Sequence, residues 1–342
     1  MRDVARLAGV SVATVSAVVN GSATVSPHSA KKVRDAMEAL DYHPDQVARS
    51  LRVGRTDVIG MVIPDITNAF FTELVRGVED AGHVRGYSVI LCNSNEDPEQ
   101  ERRHLSTLFS RRVDGVIIAC SDSSAAYDRL LSRRFPIVFV DRVPQGVNRS
   151  GISTDNVEAS YRATRHLLEL GHERLAWVGG KLWLSPFADR LEGFRKAMQE
   201  RGLAVRQEYL ITGMTMIESG HQAARELFSL SVPPSAVFIG NNKMLLGFMR
   251  ALAELHVRCP EDVSILGYDD YAWTEHFTPR LTVVAQQTYE MGRRGMEILL
   301  SKIRDAGEDR HESEPELVLL PAELRIREST ACCSRQIKEG TQ

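Results

Sequence analysis

The chain has 342 residues, 43% hydrophobic and 25% charged, with a formal net charge of −3. That leaves room for a small and a large domain with separate cores, in a composition ordinary for globular proteins. No apolar run reaches membrane-spanning length, and Arg2, Asp3 and Arg6 exclude a signal-peptide core at the start, so a cytoplasmic location is expected. Cys92, Cys120, Cys259, Cys332 and Cys333 are odd in number and lack C-x-x-C spacing, which argues against a disulfide framework or a zinc site. Through Arg55 there are eight Lys and Arg against five Asp and Glu. A mildly basic arm before an acidic body fits nucleic-acid contact confined to the N-terminus.

Residues 4–20 read as two short helices broken at Gly9, with Val4, Leu7 and Ala8 apolar before the break and Val15, Val18 and Val19 after it. Gly9 suits the left-handed residue that ends the first helix, and Ser11 can cap the second. The pattern is a helix-turn-helix, whose second helix fits the DNA major groove. A third helix is predicted over 29–40, with Ala30, Val33, Met37 and Leu40 at core spacing and Lys31, Lys32 and Arg34 outward. Tyr42-His43-Pro44 interrupts it, and a short segment over 45–51 precedes Gly54.

From Asp57 strands and helices alternate. Strand-like runs are 58–63, 87–92, 115–120, 137–140, 175–178, 236–239, 264–267 and 282–284. Amphipathic helices fall near 71–85, 99–111, 157–170, 187–201, 218–229, 243–255 and 289–305. The class is α/β, with parallel sheets covered on both faces. About 270 residues is long for one such sheet, so two similar lobes are expected, with a ligand cleft between them beyond the strands' carboxyl ends. There is no G-x-G-x-x-G, P-loop or G-x-S-x-G. Gly179-Gly180-Lys181 reads as a strand-end turn, and His172 and His221 have no partners at metal-ligand spacing. No catalytic constellation emerges, so an enzyme, a metal and a cofactor are not expected.

Residues 3–56 resemble the DNA-binding region of the LacI/GalR (lactose-repressor/galactose-repressor) family of bacterial transcription regulators. The matching text is Asp3-Val4-Ala5, Ala8-Gly9-Val10-Ser11, Thr14-Val15-Ser16, Val25-Ser26, Tyr42-His43-Pro44 and Val47-Ala48-Arg49-Ser50-Leu51. The body matches through Pro64-Asp65, Asn68, Phe70-Phe71, Val113-Asp114-Gly115, Asp141-Arg142, Gly171-His172, Arg190-Leu191, Gly193-Phe194 and Gly267-Tyr268-Asp269-Asp270. The resemblance spans roughly residues 3–330. It implies an all-α helix-turn-helix domain over 1–44, a hinge helix and linker over 45–56, and a two-lobed periplasmic-binding-protein-like body over 57–330. By that analogy lobe 1 is about 57–157 and 287–313, lobe 2 about 158–286 and 314–330, and 331–342 is a tail. The family's usual Thr-Ile before Asp3 is replaced by Met1-Arg2, which removes the expected cap of the first helix and leaves open a start codon upstream.

The resemblance lays residues Ser11 to Asn20 in the major groove. Thr14, Ser16 and Asn20 suit phosphates, which fix register without reading sequence. The family's base-reading positions fall on Val12, Ala13 and Ala17, which can pack on thymine methyls but cannot pair bidentately with guanine. The alternative for Val12 and Ala17 is packing inside the domain. Residues 45–51 correspond to the hinge helix, too short to hold in water alone and expected to order only on DNA beside a partner's hinge. Its DNA contacts fall on Ala48, Arg49 and Leu51, with Leu51 the minor-groove wedge or else an interlobe packing residue. Asp45 stands where Asn is usual.

In sugar-binding relatives Asn68, Phe70 and Phe71 match the residues whose rings cover a sugar's apolar face. Asp141, Arg142, Arg190, Asp269 and the crossover residue Gln286 match its polar partners. Asn242 stands where the family usually has Asp. Losing that carboxylate while keeping Arg142 and Arg190 suggests a sugar acid or sugar phosphate rather than a neutral sugar. Trp183 and Trp273 line the cleft or pack elsewhere. The expected function is a ligand-gated transcriptional regulator, a repressor binding a palindromic operator as a homodimer. The alternative is a sugar-binding transport protein sharing the body fold.

Overall fold

The computed structural model describes residues 1–19, 25–42, 54–121, 127, 135–144, 150–307 and 316–333. It divides into two compact units, Met1–Thr56 and Asp57–Gln342.

In the first unit α1 spans Arg2–Ala8, α2 Val12–Val19 and α3 Pro27–Ala39. Gly9 closes α1 at φ 65°, where a side chain would be strained, and its N–H turns back to the Ala5 and Arg6 carbonyls. Ser11 Oγ accepts the Thr14 N–H at 3.1 Å to cap α2. Ser26 caps α3 with Pro27 in its first turn. Met1 makes no side-chain cap for α1. The core is Val4, Ala5, Ala8, Val15, Val33 and Ala36. Two sequence expectations are corrected. Leu7 is 57% exposed because Val4, Ala5 and Ala8 share one arc of α1 and Leu7 lies on its far flank. Leu40 is also exposed, because α3 ends at Ala39 and the chain turns away there. Asn20, Asp45, Ala48, Arg49 and Leu51 lie outside the described residues.

The second unit holds two six-stranded sheets. The first contains β1 (Val58–Ile63), β2 (Ser88–Asn93), β3 (Gly115–Ile118), β4 (Ile137–Val140), β5 (Gly151–Thr154) and β11 (Leu317–Leu320), in the order β2-β1-β3-β4-β5-β11, all parallel. It is covered by α4 (Ala69–His83), α5 (Pro98–Ser110) and α11 (Thr288–Gly307). The second contains β6 (Leu175–Gly179), β7 (Leu210–Thr212), β8 (Ala236–Ile239), β9 (Ser264–Tyr268), β10 (Thr282–Ala285) and β12 (Glu323–Arg325). Its order is β7-β6-β8-β9-β10-β12, with only β12 antiparallel. Its helices are α6 (Asn156–Glu169), α7 (Ser185–Glu200), α8 (Ile217–Ser229), α9 (Asn242–Glu254) and the short α10 (Ala272–His276).

Central strands such as β3, β4 and β8 are buried along their whole length, as a sheet covered on both faces requires. The chain crosses between lobes after Thr154, again at Gln286, and a third time between Leu320 and Glu323. The last crossing corrects the expected division at 313/314. Leu317–Leu320 pairs with Gly151–Thr154 and so completes the first lobe's sheet. Helix pairs covering the sheets meet at glycines: a Cβ on Gly77 or Gly292 would lie 2.2 or 2.1 Å from a carbonyl oxygen of the facing helix.

Candidate functional site

Helix α2 anchors itself through fully buried Val15 and turns Val12 and Ala13 to the outside. Val12 is 44% exposed, so it is not a core residue, while Ser16 and Ala17 are half-buried. Ser11 Oγ and Thr14 Oγ1 lie 2.9 Å apart at its N-terminus. The outward face is therefore hydroxyl-bearing at its start and apolar along its middle.

In the body, the carboxyl ends of both sheets face each other across a narrow cleft. It is lined by Asn68, Phe70, Phe71, Asp141 and Arg142 from lobe 1, Pro186, Phe187, Arg190, Asn241 and Asp269 from lobe 2, and the crossover residue Gln286. Apart from Arg190, which lies in the second turn of α7, each polar side chain is fixed by the turn that follows a strand or begins a helix. Asn68 caps α4, its Oδ1 accepting the Phe70 N–H at 3.1 Å, which sets Phe70 and Phe71 edge to face at 5.1 Å. Gln286 donates to Asp269 Oδ1 at 2.6 Å and accepts from Thr154 Oγ1 at 2.5 Å, so one side chain ties the two lobes at their crossover.

Arg190 is 4% exposed. It donates to Asn156 Oδ1 at 2.8 Å and to the Gly240 carbonyl at 2.7 Å, and its guanidinium stacks 3.6 Å over the Tyr268 ring. Arg142, equally buried, lies 5.6 Å over the Phe71 ring and is gripped bidentately by Glu96 at 2.8 and 2.9 Å. Asp141 Oδ2 stands 3.8 Å from Arg142 Nε.

Burial pushes Asp141 up to about 6, against the pull of Arg142 and Arg190. Burial likewise raises Asp269, against Arg190, Gln286 and the Asn242 backbone N–H. Burial also acts on Glu96, but the charge and hydrogen bonds of Arg142 outweigh it and hold the carboxyl below its usual range. Glu96, Asp141 and Asp269 all sit at positive φ, 59°, 59° and 73°. That conformation costs a side-chain-bearing residue on the order of 1–3 kcal/mol and clusters at functional sites.

The structure departs from the expected site in several places. Asn242 is not in the cleft lining. Its Nδ2 bridges to Asn68 Oδ1 across the lobes at 2.8 Å, and its neighbour Asn241 lines the cleft instead. Trp183 is 55% exposed and Trp273 packs on Phe277 against the lobe 2 core, so neither ring lines the cleft. Phe187, Pro186 and Glu96 were not singled out from the sequence. Phe187 and Pro186 precede Arg190 on α7 and could have been found by helical spacing from it; Glu96 carries no such signal. His172 is a buried structural residue bonded to Ser235, Ser264 and the Ala331 carbonyl, and His221 pairs with Glu254.

A helix-turn-helix unit and a two-lobed body with a polar, aromatic-lined cleft together define a ligand-responsive DNA-binding regulator. Residues 1–45 match the family of bacterial regulatory proteins, lacI family, and residues 56–328 match the periplasmic binding proteins and sugar binding domain of the LacI family. The chain belongs to the LacI family of transcriptional regulators, and its body is the part that takes a small-molecule effector. It is 38% identical to the ribose operon repressor of Escherichia coli K12, covering 89% of this chain and 92% of that protein. It is 36% identical to the HTH-type transcriptional repressor PurR of Vibrio vulnificus, covering 93% of this chain and 97% of that one. The structure of the lac repressor dimer bound to operator and an anti-inducer superposes with a TM-score of 0.85 at 27% identity, covering 96% of this chain and 98% of the other.

Proposed function

We propose that this regulator is a repressor that binds a palindromic operator as a dimer and senses a neutral pentose of the ribose type. The observation that carries the effector is the balance of charges in the cleft. Among the described residues, Asp141 and Asp269 balance Arg142 and Arg190 in the lining. Glu96, bound to Arg142 from behind it and also within reach of the Lys181 charge, leaves no uncompensated guanidinium charge on Arg142. Carboxylates accept from neighbouring sugar hydroxyls, the free edges of the guanidiniums donate to ring and hydroxyl oxygens, and Phe71 and Phe187 cover apolar ring faces. Glu96, bound to both ends of the Arg142 guanidinium, argues against the sugar acid or sugar phosphate expected from the sequence. The 38% identity to a ribose operon repressor supports the same choice. On DNA, Ser11, Thr14, Ser16 and Asn20 would hold phosphates, Val12, Ala13 and Ala17 would meet base edges, and Ala48, Arg49 and Leu51 would act in the minor groove.

The test is calorimetric titration of the full chain with D-ribose, D-xylose, D-glucose, D-ribose 5-phosphate and guanine. It is followed by a gel shift on palindromic sequences upstream of its own gene, with and without the ligand that binds. Binding of ribose with a change in operator affinity is expected. Binding of guanine or ribose 5-phosphate alone would reject the pentose.

A further inference from the structure

Glu96 comes three residues after β2, on a loop that ordinarily only connects a strand to a helix. Its backbone is left-handed at φ 59°, as is that of Asn95 before it at φ 53°, and its N–H is tied to the Pro64 carbonyl at 3.1 Å. Asparagine tolerates that conformation through its short polar side chain; glutamate has no such reason to adopt it. What the turn achieves is to aim the Glu96 carboxylate at the Arg142 guanidinium that lines the cleft. Oε1 and Oε2 each take one end of Arg142, at 2.8 and 2.9 Å, with the glutamate side chain 15% exposed and the arginine 5%. Thr215 Oγ1 of lobe 2 adds a contact to Oε1 at 3.4 Å. The Cys120 carbonyl accepts a further, longer bond from Arg142 Nη1 at 3.4 Å.

An arginine with five donors and a full charge is the natural receptor for a carboxylate or a phosphate. Here the receptor edge formed by Nη1 and Nη2 is already filled by a carboxylate of the protein. Donors remain on Nε and Nη2, enough for one or two hydroxyl oxygens, but the charge that would attract an anion is neutralised. An anionic ligand would have to displace Glu96 or lie against Asp141 and Asp269.

We infer that Glu96 is the residue that sets effector charge specificity: it turns Arg142 from an anion receptor into a hydroxyl donor and so excludes phosphorylated and acidic sugars. It does so as an internal counter-ion and not as a ligand contact. The inference rests on the pentose reading above, and the test separates the two.

Wild type, Glu96→Gln and Glu96→Asp are titrated with D-ribose and D-ribose 5-phosphate as full chains. Glutamine keeps the shape but can accept only one of the two bonds and raises the cleft charge by one. Glu96→Gln should weaken ribose and strengthen ribose 5-phosphate, shifting the ratio of the two dissociation constants by about tenfold or more. Glu96→Asp keeps the charge and should hold the ratio near that of wild type. A Glu96→Gln ratio within twofold of a ribose-binding wild type overturns the inference while leaving the pentose reading intact. A wild type that binds ribose 5-phosphate at least as well as ribose overturns the pentose reading and with it the inference. Should Glu96→Gln not fold, Glu96→Gly, which relieves the left-handed strain while removing the carboxylate, must show the same shift or the inference fails.

Discussion

Lys243 and Asp65, 178 residues apart, close an ion pair across the mouth of the cleft. Lys243 Nζ also bonds Thr67 Oγ1 at 2.9 Å, and the adjacent Asn242 reaches Asn68 at 2.8 Å. The first turn of α9 thereby clamps the loop after β1 through two successive side chains. Burial pushes the Asp65 carboxyl up, but the hydrogen bonds from Lys243 and Thr67 outweigh it and hold it below the usual range.

This pair should favour the closed body. Both side chains keep about a quarter of their surface exposed (25% and 26%), so screening limits the contribution to about 1 kcal/mol or less. Lys243→Met should therefore weaken effector binding up to about fivefold at low salt, and much less at high salt. Calorimetric titration at two ionic strengths checks this, and an equal loss at both would rule out the ion pair as the cause. Because the folded-state value of Asp65 is lowered, its contribution is present above the ordinary carboxylate range and fades as pH falls through the lowered value. Between pH 5 and 8 the effect of the substitution should be constant.

Asp141 titrates in the opposite sense. With its native value at about 6 against 3.8 for an unperturbed carboxyl, the folded state holds its proton more tightly than the unfolded one. The contribution of this one group to stability is then greatest below about pH 4, falls as pH rises to about 6 and is flat beyond. The loss is on the order of 2–3 kcal/mol. Asparagine tolerates the φ of 59° at this position. Asp141→Asn should accordingly raise the melting temperature of the ligand-free protein at pH 7–8, with the gain vanishing near pH 4, while lowering effector affinity by about tenfold or more. Melting curves from pH 4 to 8 decide it; a variant less stable than wild type at pH 8 would contradict the assigned burial cost.

The alternation of apolar strands and amphipathic helices carried the two-lobed α/β architecture, because strands such as β4 and β8 are buried on both faces and read as unbroken apolar runs. Strand β11 was illegible. It is an edge strand of four residues with Leu317 and Leu319 half exposed, and nothing local tells which sheet it joins. Most of the cleft lining followed the family motifs, since those side chains sit at fixed offsets from strand ends. Glu96 did not, because its role depends on a left-handed turn and on Arg142, which lies 46 residues away. Asn242, expected in the cleft by the same motif logic, stands directly behind its lining, where its amide meets Asn68 across the gap.

Helix pair α8–α9 of lobe 2 is held at a backbone-to-backbone distance that only glycine permits. A Cβ on Gly247 would stand 1.8 Å from the Ile217 carbonyl oxygen, and one on Gly220 would stand 1.9 Å from that of Met244. The obstacle in each case is main chain, which cannot rotate aside. Gly247→Ala must push the helices apart and should destabilise the body by about 1–3 kcal/mol or more despite alanine's better helix propensity. For a domain of this size each kcal/mol lowers the melting temperature by roughly 2–4 °C. An unchanged melting temperature would mean that the helices do not pack this closely.

The last prediction concerns α2. Val15 fixes the helix to its domain while Val12 and Ala13 point outward and Ala17 is half-buried. None of the three offers a donor or acceptor to a base edge, so direct readout from this face is confined to contact with thymine methyls. An arginine at position 17 would add a donor fork one helical turn from Ala13. A bidentate contact to guanine is worth about 1–3 kcal/mol of discrimination. Ala17→Arg should therefore impose a guanine preference of roughly five- to a hundredfold at one base of each half-site. Affinity for sites lacking that guanine should rise by a similar, smaller amount whatever their sequence, because the added charge can reach phosphate equally on any of them. Selection of operators from a randomised palindrome, run side by side on wild type and variant, reads this directly. Identical selected sequences would show that α2 does not present residue 17 to the bases.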